Sequence, residues 1–268
     1  MFLKLSQSVL LTTFFLFEFS GPSLAVTNSS RIDISDAPWT VGIVTNPTKD
    51  TEFCAGSVLS PNFIVTAAQC VFGKQLLDIS IHYGSRYRTG GTGKWVYPKE
   101  LIFLRYRPET MENNIALIKT ETPMELDNVT SKAIDLPDLE FDPMAMTEVA
   151  VDGWGATKPE SKELSFNLMA ANFTVVDRYD CAKKYEEVQK QGLITEQVFC
   201  AGGRGHGSEA HIEYGDVGDP AVQNEKLVGI ATLPPTSEAY EYPSIFTKVG
   251  SYVTWIEEII WQKKNNRS

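Results

Sequence analysis

The chain has 268 residues, of which 43% are hydrophobic and 22% are charged. This size and composition fit one or two globular domains with a sizeable core. The formal net charge of -10 argues against nucleic acid, heparin-like polyanions and anionic membranes as partners, because binding a phosphate-rich surface requires clustered Lys and Arg.

Residues 1–25 have the pattern of a secretory signal peptide. Lys4 supplies an early positive charge, residues 9–17 form an apolar run, and Ser23-Leu24-Ala25 has the small residues of a cleavage site. A membrane anchor is the alternative interpretation, but the apolar run is too short to cross a bilayer. We therefore expect a secreted, extracellular protein whose folded domain spans residues 26–268.

Most of the remaining chain is predicted to form short strands. Alternating or β-branched apolar residues occupy residues 41–44, 77–83, 148–151 and 227–231, and glycine-rich turns punctuate them. Many short strands at this spacing indicate an all-β barrel or sandwich. The end of the chain differs, because apolar residues recur there at helical spacing, and we expect a C-terminal helix over roughly residues 251–262.

Four cysteines in an exported chain predict two disulfides. Asn-X-Ser/Thr sequons mark four candidate N-glycosylation sites, namely Asn28, Asn128, Asn172 and Asn266. Motifs this short arise often by chance, so each sequon is a candidate only.

A series of motifs covers nearly all of the chain after residue 26 and resembles the trypsin and chymotrypsin family, in the family's own order. The motifs are Cys54-Ala55-Gly56-Ser57-Val58-Leu59, Thr66-Ala67-Ala68-Gln69-Cys70, Asn114-Ile115-Ala116-Leu117-Ile118, Gly153-Trp154-Gly155, Phe199-Cys200-Ala201-Gly202, Gly215-Asp216-Val217-Gly218-Asp219-Pro220 and Tyr242-Pro243-Ser244-Ile245-Phe246-Thr247-Lys248-Val249. One such motif would be weak evidence, whereas the ordered series is specific.

The resemblance implies an all-β fold of two six-stranded antiparallel barrels followed by a C-terminal α-helix. The first barrel would span roughly residues 38–140 and the second roughly residues 141–250, with the active cleft between them. The resemblance also implies two disulfides, Cys54–Cys70 and Cys181–Cys200.

The catalytic positions of the family carry residues that cannot perform its chemistry. In that chemistry a serine attacks the substrate, a histidine takes and returns its proton, and an aspartate orients the histidine. By resemblance, Gln69 stands at the histidine position, Asn114 at the aspartate position and Val217 at the serine position. An amide does not titrate near neutral pH, and valine has no nucleophilic atom. We expect a pseudo-protease.

The alternative is that these catalytic positions are misaligned and that the true catalytic histidine lies elsewhere. The sequence has three histidines, His82, His206 and His211, and none of them lies in a family histidine context. Two of them lie near Glu209 and Glu213, in a spacing that matches no zinc pattern. We interpret that segment as a solvated loop and expect no metal and no cofactor.

The substrate-binding side of the cleft is also altered. By resemblance His211 lies at the base of the specificity pocket, where trypsin-like enzymes need a carboxylate to bind Lys or Arg. Thr232-Leu233-Pro234 replaces a Ser-Trp-Gly segment that pairs with extended substrates, and proline has no N–H to donate. By resemblance, Ser244 replaces a glycine in the pocket wall. Asp219 replaces a second family glycine near the oxyanion site, where its carboxylate would oppose the negative charge of an oxyanion. We expect extended peptide binding to be lost.

The mature N-terminus has two candidate positions. In the family, the aspartate at the position of Asp216 pairs with the amine that zymogen cleavage releases. Here the usual activation signal is absent, although Arg31-Ile32 resembles a cleavage site. The family spacing back from Pro38 lands on Val26, which signal-peptide removal would expose, and a Val26 amine could then pair with Asp216.

A scaffold that keeps its core and loses its catalytic groups favours function by protein binding. Replacement of all three catalytic residues in a signal-bearing chain resembles the inactivated serine protease paralogues of the scabies mite, a group associated with binding host complement components. The resemblance implies a secreted protein that binds host proteins and inhibits complement. The alternatives are a non-catalytic cofactor or decoy for active serine proteases, and an active hydrolase with unconventional residues.

Overall fold

Two antiparallel sheets and a C-terminal helix build the structure. The computed structural model describes residues 29–45, 53–158, 161–187, 192–203, 210–232 and 242–265. The described strands are, in chain order, β1 (Ser30–Arg31), β2 (Thr40–Val44), β3 (Phe53–Ser60), β4 (Phe63–Thr66), β5 (Ser80–Tyr83), β6 (Lys94–Val96), β7 (Pro98–Phe103), β8 (Ala116–Thr120), β9 (Glu148–Gly153), β10 (Met169–Val176), β11 (Val198–Ala201), β12 (Pro220–Gln223), β13 (Lys226–Thr232) and β14 (Ser244–Lys248). The described helices are α1 (Ala68–Val71), α2 (Arg178–Glu187) and α3 (Val253–Asn265), with 3-10 turns at Ile34–Asp36, Leu76–Asp78 and Val249–Tyr252.

The strand order confirms the predicted pair of antiparallel barrels, with one refinement in each. The first sheet runs β6-β5-β2-β3-β4-β8-β7, and β6 and β7 are halves of one strand interrupted at Tyr97. The second runs β1-β10-β11-β14-β13-β12-β9 and closes on itself because β9 also pairs with β10. The seventh strand, β1, is an addition to the six barrel strands. It has two residues and pairs the N-terminal segment with β10.

Strand β2 illustrates why these segments form strands. Val41, Ile43 and Val44 are β-branched and favour extended backbone. The whole strand is buried between β3 and β5. Gly42 leaves room for the ring of Phe53, which would lie 2.9 Å from a Cβ at that position. Close packing of this kind, and not propensity alone, holds the barrel together.

One predicted strand is wrong in part. The sequence predicts a single strand over residues 77–83, but Leu76–Asp78 forms a 3-10 turn and β5 begins only at Ser80. Leu77 is 91% exposed, so its apolar side chain does not contribute to the barrel core.

The two barrels meet through aromatic packing. Phe53 of the first barrel and Trp154 of the second contact edge to face, with ring centroids 6.1 Å apart. The indole N–H of Trp154 donates to the carbonyl of Arg86 at 3.0 Å. These contacts fix the segment around Trp154 at the barrel junction.

Helix α3 packs on the first barrel and confirms the predicted C-terminal helix. Ile256 is fully buried, and Trp255, Ile259 and Ile260 pack partly buried against the same core. Each helix in the described part of the chain is too short or too polar to span a lipid bilayer.

Both predicted disulfides are present, as Cys54–Cys70 and Cys181–Cys200. The first joins β3 to α1, the helix that carries Gln69, and the second joins α2 to β11. Two disulfides are consistent with an extracellular protein, since reducing compartments keep thiols free.

Candidate functional site

A hydrogen-bonded pair of amides lies at the barrel junction. The side-chain amide of Asn114 donates to Gln69 Oε1 at 2.5 Å, and the backbone N–H of Gln69 donates to Asn114 Oδ1 at 2.9 Å. Asn114 is 2% exposed, and its carbonyl accepts from the hydroxyl of Thr247 at 3.0 Å. Both side chains are neutral amides, so the pair offers no group that could accept a proton near neutral pH.

Val217 lies against the same part of the first barrel. Its carbonyl oxygen accepts from the N–H of Ala55 at 2.8 Å and lies 3.5 Å from Sγ of Cys70, the residue after Gln69. The side chain is an isopropyl group, and the residue is 6% exposed. The structure therefore brings all three residues that the sequence assigned to catalytic positions to one junction, with no nucleophile among them.

The residues predicted to line the former specificity pocket use their polar atoms internally. The Nε2 atom of His211 lies 2.7 Å from Glu213 Oε1. Ser244 Oγ accepts from the N–H of Ile212 at 2.8 Å, and the hydroxyl of Thr232 donates to the carbonyl of Ile245 at 2.8 Å.

These contacts leave little polar surface for a ligand, because His211, Ser244 and Thr232 are all less than a tenth exposed. Leu233 and Pro234, also assigned to this pocket, lie outside the described residues.

The interpretation of residues 206–213 as a solvated loop is wrong for the part that the structure describes. His211 is 6% exposed and Glu213 is 8% exposed. A loop can be buried when its polar groups pair within the protein, and these two side chains satisfy each other. His206 and Glu209 lie outside the described residues.

The sequence predicts a carboxylate of Asp219 near the oxyanion site, but the structure does not place a free carboxylate at the cleft. It is 1% exposed, and its carboxyl group lies against Gly153 of β9, inside the second barrel. Burial, together with the charges of Asp216 and Asp152, raises the pKa of this carboxyl well above its usual value. Val26, the proposed amine partner of Asp216, lies outside the described residues.

Two of the four candidate glycosylation sites can be placed. Asn128 is exposed and lies on a tight turn, where Asp127 Oδ1 accepts from the N–H groups of Val129 and Thr130 at 2.9 and 2.8 Å. Asn172 is exposed on β10, and its side-chain amide donates to Glu148 at 3.2 Å. Asn28 and Asn266 lie outside the described residues.

Comparison with known sequences identifies the family. The sequence model of the Trypsin family matches residues 26–256. Trypsin Blo t 3 of Blomia tropicalis is 32% identical over 234 residues, which cover 87% of this chain and 85% of that protein. Trypsin zeta of Drosophila melanogaster is 30% identical over 251 residues, covering 91% of this chain and 88% of that protein.

Two similar solved structures are crystal structures of scabies mite inactivated protease paralogues. Paralogue S-D1 is 47% identical with a TM-score of 0.83, and the match covers 88% of this chain and 98% of that one. Paralogue S-I1 is 39% identical with a TM-score of 0.76, covering 87% of this chain and 99% of that one.

The sequence relatives are named trypsins, whereas the similar structures are named inactivated proteases. The higher identity to the inactivated paralogues supports a non-catalytic serine protease homologue. With a family match over most of its length and the two-barrel fold, the chain belongs to the trypsin family.

Proposed function

We propose that this protein acts by binding secreted proteins and does not cleave them. The observation that carries the proposal is the amide pair of Gln69 and Asn114 beside Val217. At the positions assigned to the triad, no side chain takes up a proton near neutral pH and none can attack a carbonyl carbon. His211 pairs with Glu213, and Ser244 accepts a hydrogen bond from the N–H of Ile212. These internal contacts further support the loss of substrate binding.

The proposed partners are secreted host proteins, with complement components as the first candidates. Support comes from the resemblance to the scabies mite group and from the similarity to two of its inactivated paralogues. The net charge of -10 favours partners with a basic surface, since complementary charge speeds encounter and disfavours acidic partners. The signal-peptide pattern of residues 1–25 supports secretion.

Absence of catalysis is tested with purified mature protein, a fluorophosphonate probe and a broad peptide library. We expect no labelling and no cleavage over hours, while an active trypsin run in parallel gives both. Time-dependent cleavage that disappears when Gln69, Asn114 and Val217 are each replaced by alanine would contradict the proposal.

The complement assignment is tested by haemolysis and by deposition of complement on a surface, for each activation pathway separately. We expect dose-dependent inhibition that is unchanged in Val217→Ala, since that residue is not expected to contact a partner, and that is lost after reduction and unfolding. If no pathway responds, complement is not the target. A pull-down from host plasma that retains an active serine protease would favour the decoy function instead.

A further inference from the structure

Three large apolar side chains are exposed in the segment that leads into β9. Leu139 is 58% exposed, Met144 is 72% exposed and Met146 is 80% exposed. Single exposed apolar side chains are common on soluble proteins, but three of them within eight residues are a feature that solvent alone does not favour. We call these three side chains the methionine face.

The backbone that carries the methionine face is held against the second barrel. The N–H of Glu140 donates to the carbonyl of Gly250 at 2.9 Å, and the N–H of Met146 donates to a backbone carbonyl of β10 at 2.9 Å. Between these two points, Asp142 forms an ion pair with Arg178 at 2.6 Å. A surface on a fixed backbone loses less conformational freedom when it binds a partner than a mobile loop does.

The turn between β12 and β13 adjoins this segment at both of its ends. The side-chain amide of Gln223 donates to the carbonyl of Glu148 at 2.8 Å. On the other side of the turn, Lys226 Nζ lies 2.8 Å from Asp138 Oδ1. Glu225 is exposed at the tip of the same turn, with a φ angle of +60°. Its carboxylate therefore belongs to the surface that surrounds the methionine face.

The charge of this surface is negative. Residues 138–148 contain four acidic residues and neither Lys nor Arg. Two of the four form ion pairs with the rest of the protein, whereas Glu140 and Glu148 are exposed, and Glu225 adds a third exposed carboxylate. Glu148 accepts from the side-chain amide of Asn172 at 3.2 Å, and this neutral partner leaves its charge in place.

The combination of exposed apolar and acidic side chains limits what can bind here. Negative charge repels anionic membranes and nucleic acid, and a second copy of the chain would bring the same charge to the contact. A segment with Lys or Arg beside apolar residues fits both features, because its apolar side chains cover the methionine face and its cations meet the carboxylates. Methionine side chains are flexible and adapt to apolar surfaces of different shape.

We propose that the methionine face, together with Glu140, Glu148 and Glu225, binds a basic amphipathic segment of a partner protein. This inference rests on the proposed function, because it assigns a surface and a partner chemistry to a protein that acts by binding. The surface uses none of the residues of the amide pair or of the former specificity pocket, so it does not depend on a working cleft. Apolar contact supplies affinity, and the carboxylates select a basic partner and speed the encounter.

The test measures the binding of a short synthetic peptide of Leu and Lys in amphipathic order to the mature protein. Its counterpart carries Glu in place of Lys. N-glycans are removed first, because a glycan on Asn172 would lie beside Glu148. We expect the basic peptide to bind and the acidic peptide not to bind. Absence of binding by the basic peptide, or equal binding of both, would overturn the proposal.

Two double variants separate the apolar and the charged contributions. Met144→Ser with Met146→Asn removes apolar contact, and asparagine tolerates the φ angle of +67° at position 146. Glu140→Gln with Glu225→Gln removes two charges and keeps the size of the side chains. We expect each double variant to weaken binding of the basic peptide by about tenfold.

The controls make the same kinds of change elsewhere on the surface. Glu257→Gln with Glu258→Gln removes two charges from exposed positions on α3, and Leu77→Ser removes an apolar side chain that is 91% exposed. We expect neither control to weaken binding by more than about twofold. Equal weakening in the controls and in the surface variants would indicate general attraction to an acidic protein and overturn the proposal.

A second measurement locates the peptide without any variant. Hydrogen–deuterium exchange of the wild-type protein is expected to slow in residues 138–148 and in the β12–β13 turn when the basic peptide is bound. Protection confined to other segments, such as the one around Gln69, would overturn the proposal.

Complement assays with the double methionine variant separate this inference from the proposed function. Inhibition by the wild type that is lost in the variant supports the methionine face as the binding surface. Equal inhibition by both proteins overturns this inference and leaves the proposed function standing. If the wild type inhibits no pathway, the complement assignment fails, and the peptide measurements alone decide this inference.

Discussion

His211 Nε2 and Glu213 Oε1 lie 2.7 Å apart, and both side chains are buried. The two residues are separated by Ile212 on the loop that leads to Asp216 and Val217. Burial of either polar group alone would be unfavourable, but each satisfies the other. By the resemblance, His211 lies at the base of the specificity pocket, so this polar pair would stand where the family binds a substrate side chain.

Removing one member of this pair is expected to destabilise the fold. Glu213→Ala removes the carboxylate that lies 2.7 Å from the buried His211 ring, and we expect the free energy of unfolding to fall by about 3 kcal/mol. The measurement is urea unfolding at pH 7.

The control is Glu196→Ala, which removes an ion pair with Arg178 at 3.1 Å whose glutamate side chain is 86% exposed. An exposed pair of this kind contributes less than about 1 kcal/mol. Equal losses in the two variants would mean that the buried pair is not structural.

The architecture was predictable from the sequence because short motifs identify it, and these motifs follow one another in the order typical of the family. The disulfide cysteines and the Gly153-Trp154-Gly155 segment belong to motifs whose residues pack as the family's do. Parts of β2, β9 and β13 are predicted correctly from their β-branched or alternating apolar residues. Leu77 misled the prediction because apolar character does not guarantee burial at the edge of a barrel.

The polar interior was not predictable in the same way. Asp152 is one of several charged residues in short strands, and nothing local shows that its charge acts on Asp219. His211 and Glu213 lie in a polar segment, which usually indicates solvent. Burial of such groups depends on long-range packing, which a single sequence does not display.

Gly218 is expected to tolerate no side chain. Its φ angle is +92°, and a Cβ would overlap the carbonyl of Ala55 in the first barrel. We expect Gly218→Ala to lower the free energy of unfolding by about 3 kcal/mol or more, because it adds a backbone clash to an unfavourable dihedral.

Gly73 is the matched control. Its φ angle is +73°, but a Cβ there would meet open space. Gly73→Ala should therefore lower the free energy of unfolding by only about 1 kcal/mol, because the unfavourable φ angle is its only penalty. Thermal unfolding of both variants checks the difference, and similar losses would show that the barrel contact at Gly218 is unimportant.

Restoring the nucleophile alone should not restore reactivity. In Val217→Ser the hydroxyl would still lack a general base, because Gln69 and Asn114 are neutral amides bonded to each other. We expect no labelling by a fluorophosphonate probe above the wild-type level.

The triple variant that also carries Gln69→His and Asn114→Asp supplies the base and its orienting carboxylate. We expect it to react with the probe, yet not to cleave peptides after Lys or Arg, because the resemblance places His211, and no carboxylate, at the pocket base. Labelling of Val217→Ser alone would contradict the role assigned to the amide pair.

His82 is expected to limit stability on the acidic side. The ring is buried, stacks on Trp95 with centroids 4.6 Å apart, and its Nε2 atom has no hydrogen-bond partner among the described residues. Burial lowers the pKa of His82, and a backbone hydrogen bond with Arg88 opposes this only in part. The unfolded chain therefore takes up a proton that the folded chain does not, and stability falls as the pH drops below about 6.5.

The check is His82→Phe, which keeps an aromatic ring against Trp95 and cannot titrate. The lost bond to Arg88 lowers stability equally at every pH, so the informative quantity is the change between pH 7.5 and pH 5. Relative to the wild type, we expect the variant to lose less stability as the pH falls from 7.5 to 5. If His82→Phe leaves the acidic side as steep as before, the ring is not the group that takes up the proton on unfolding.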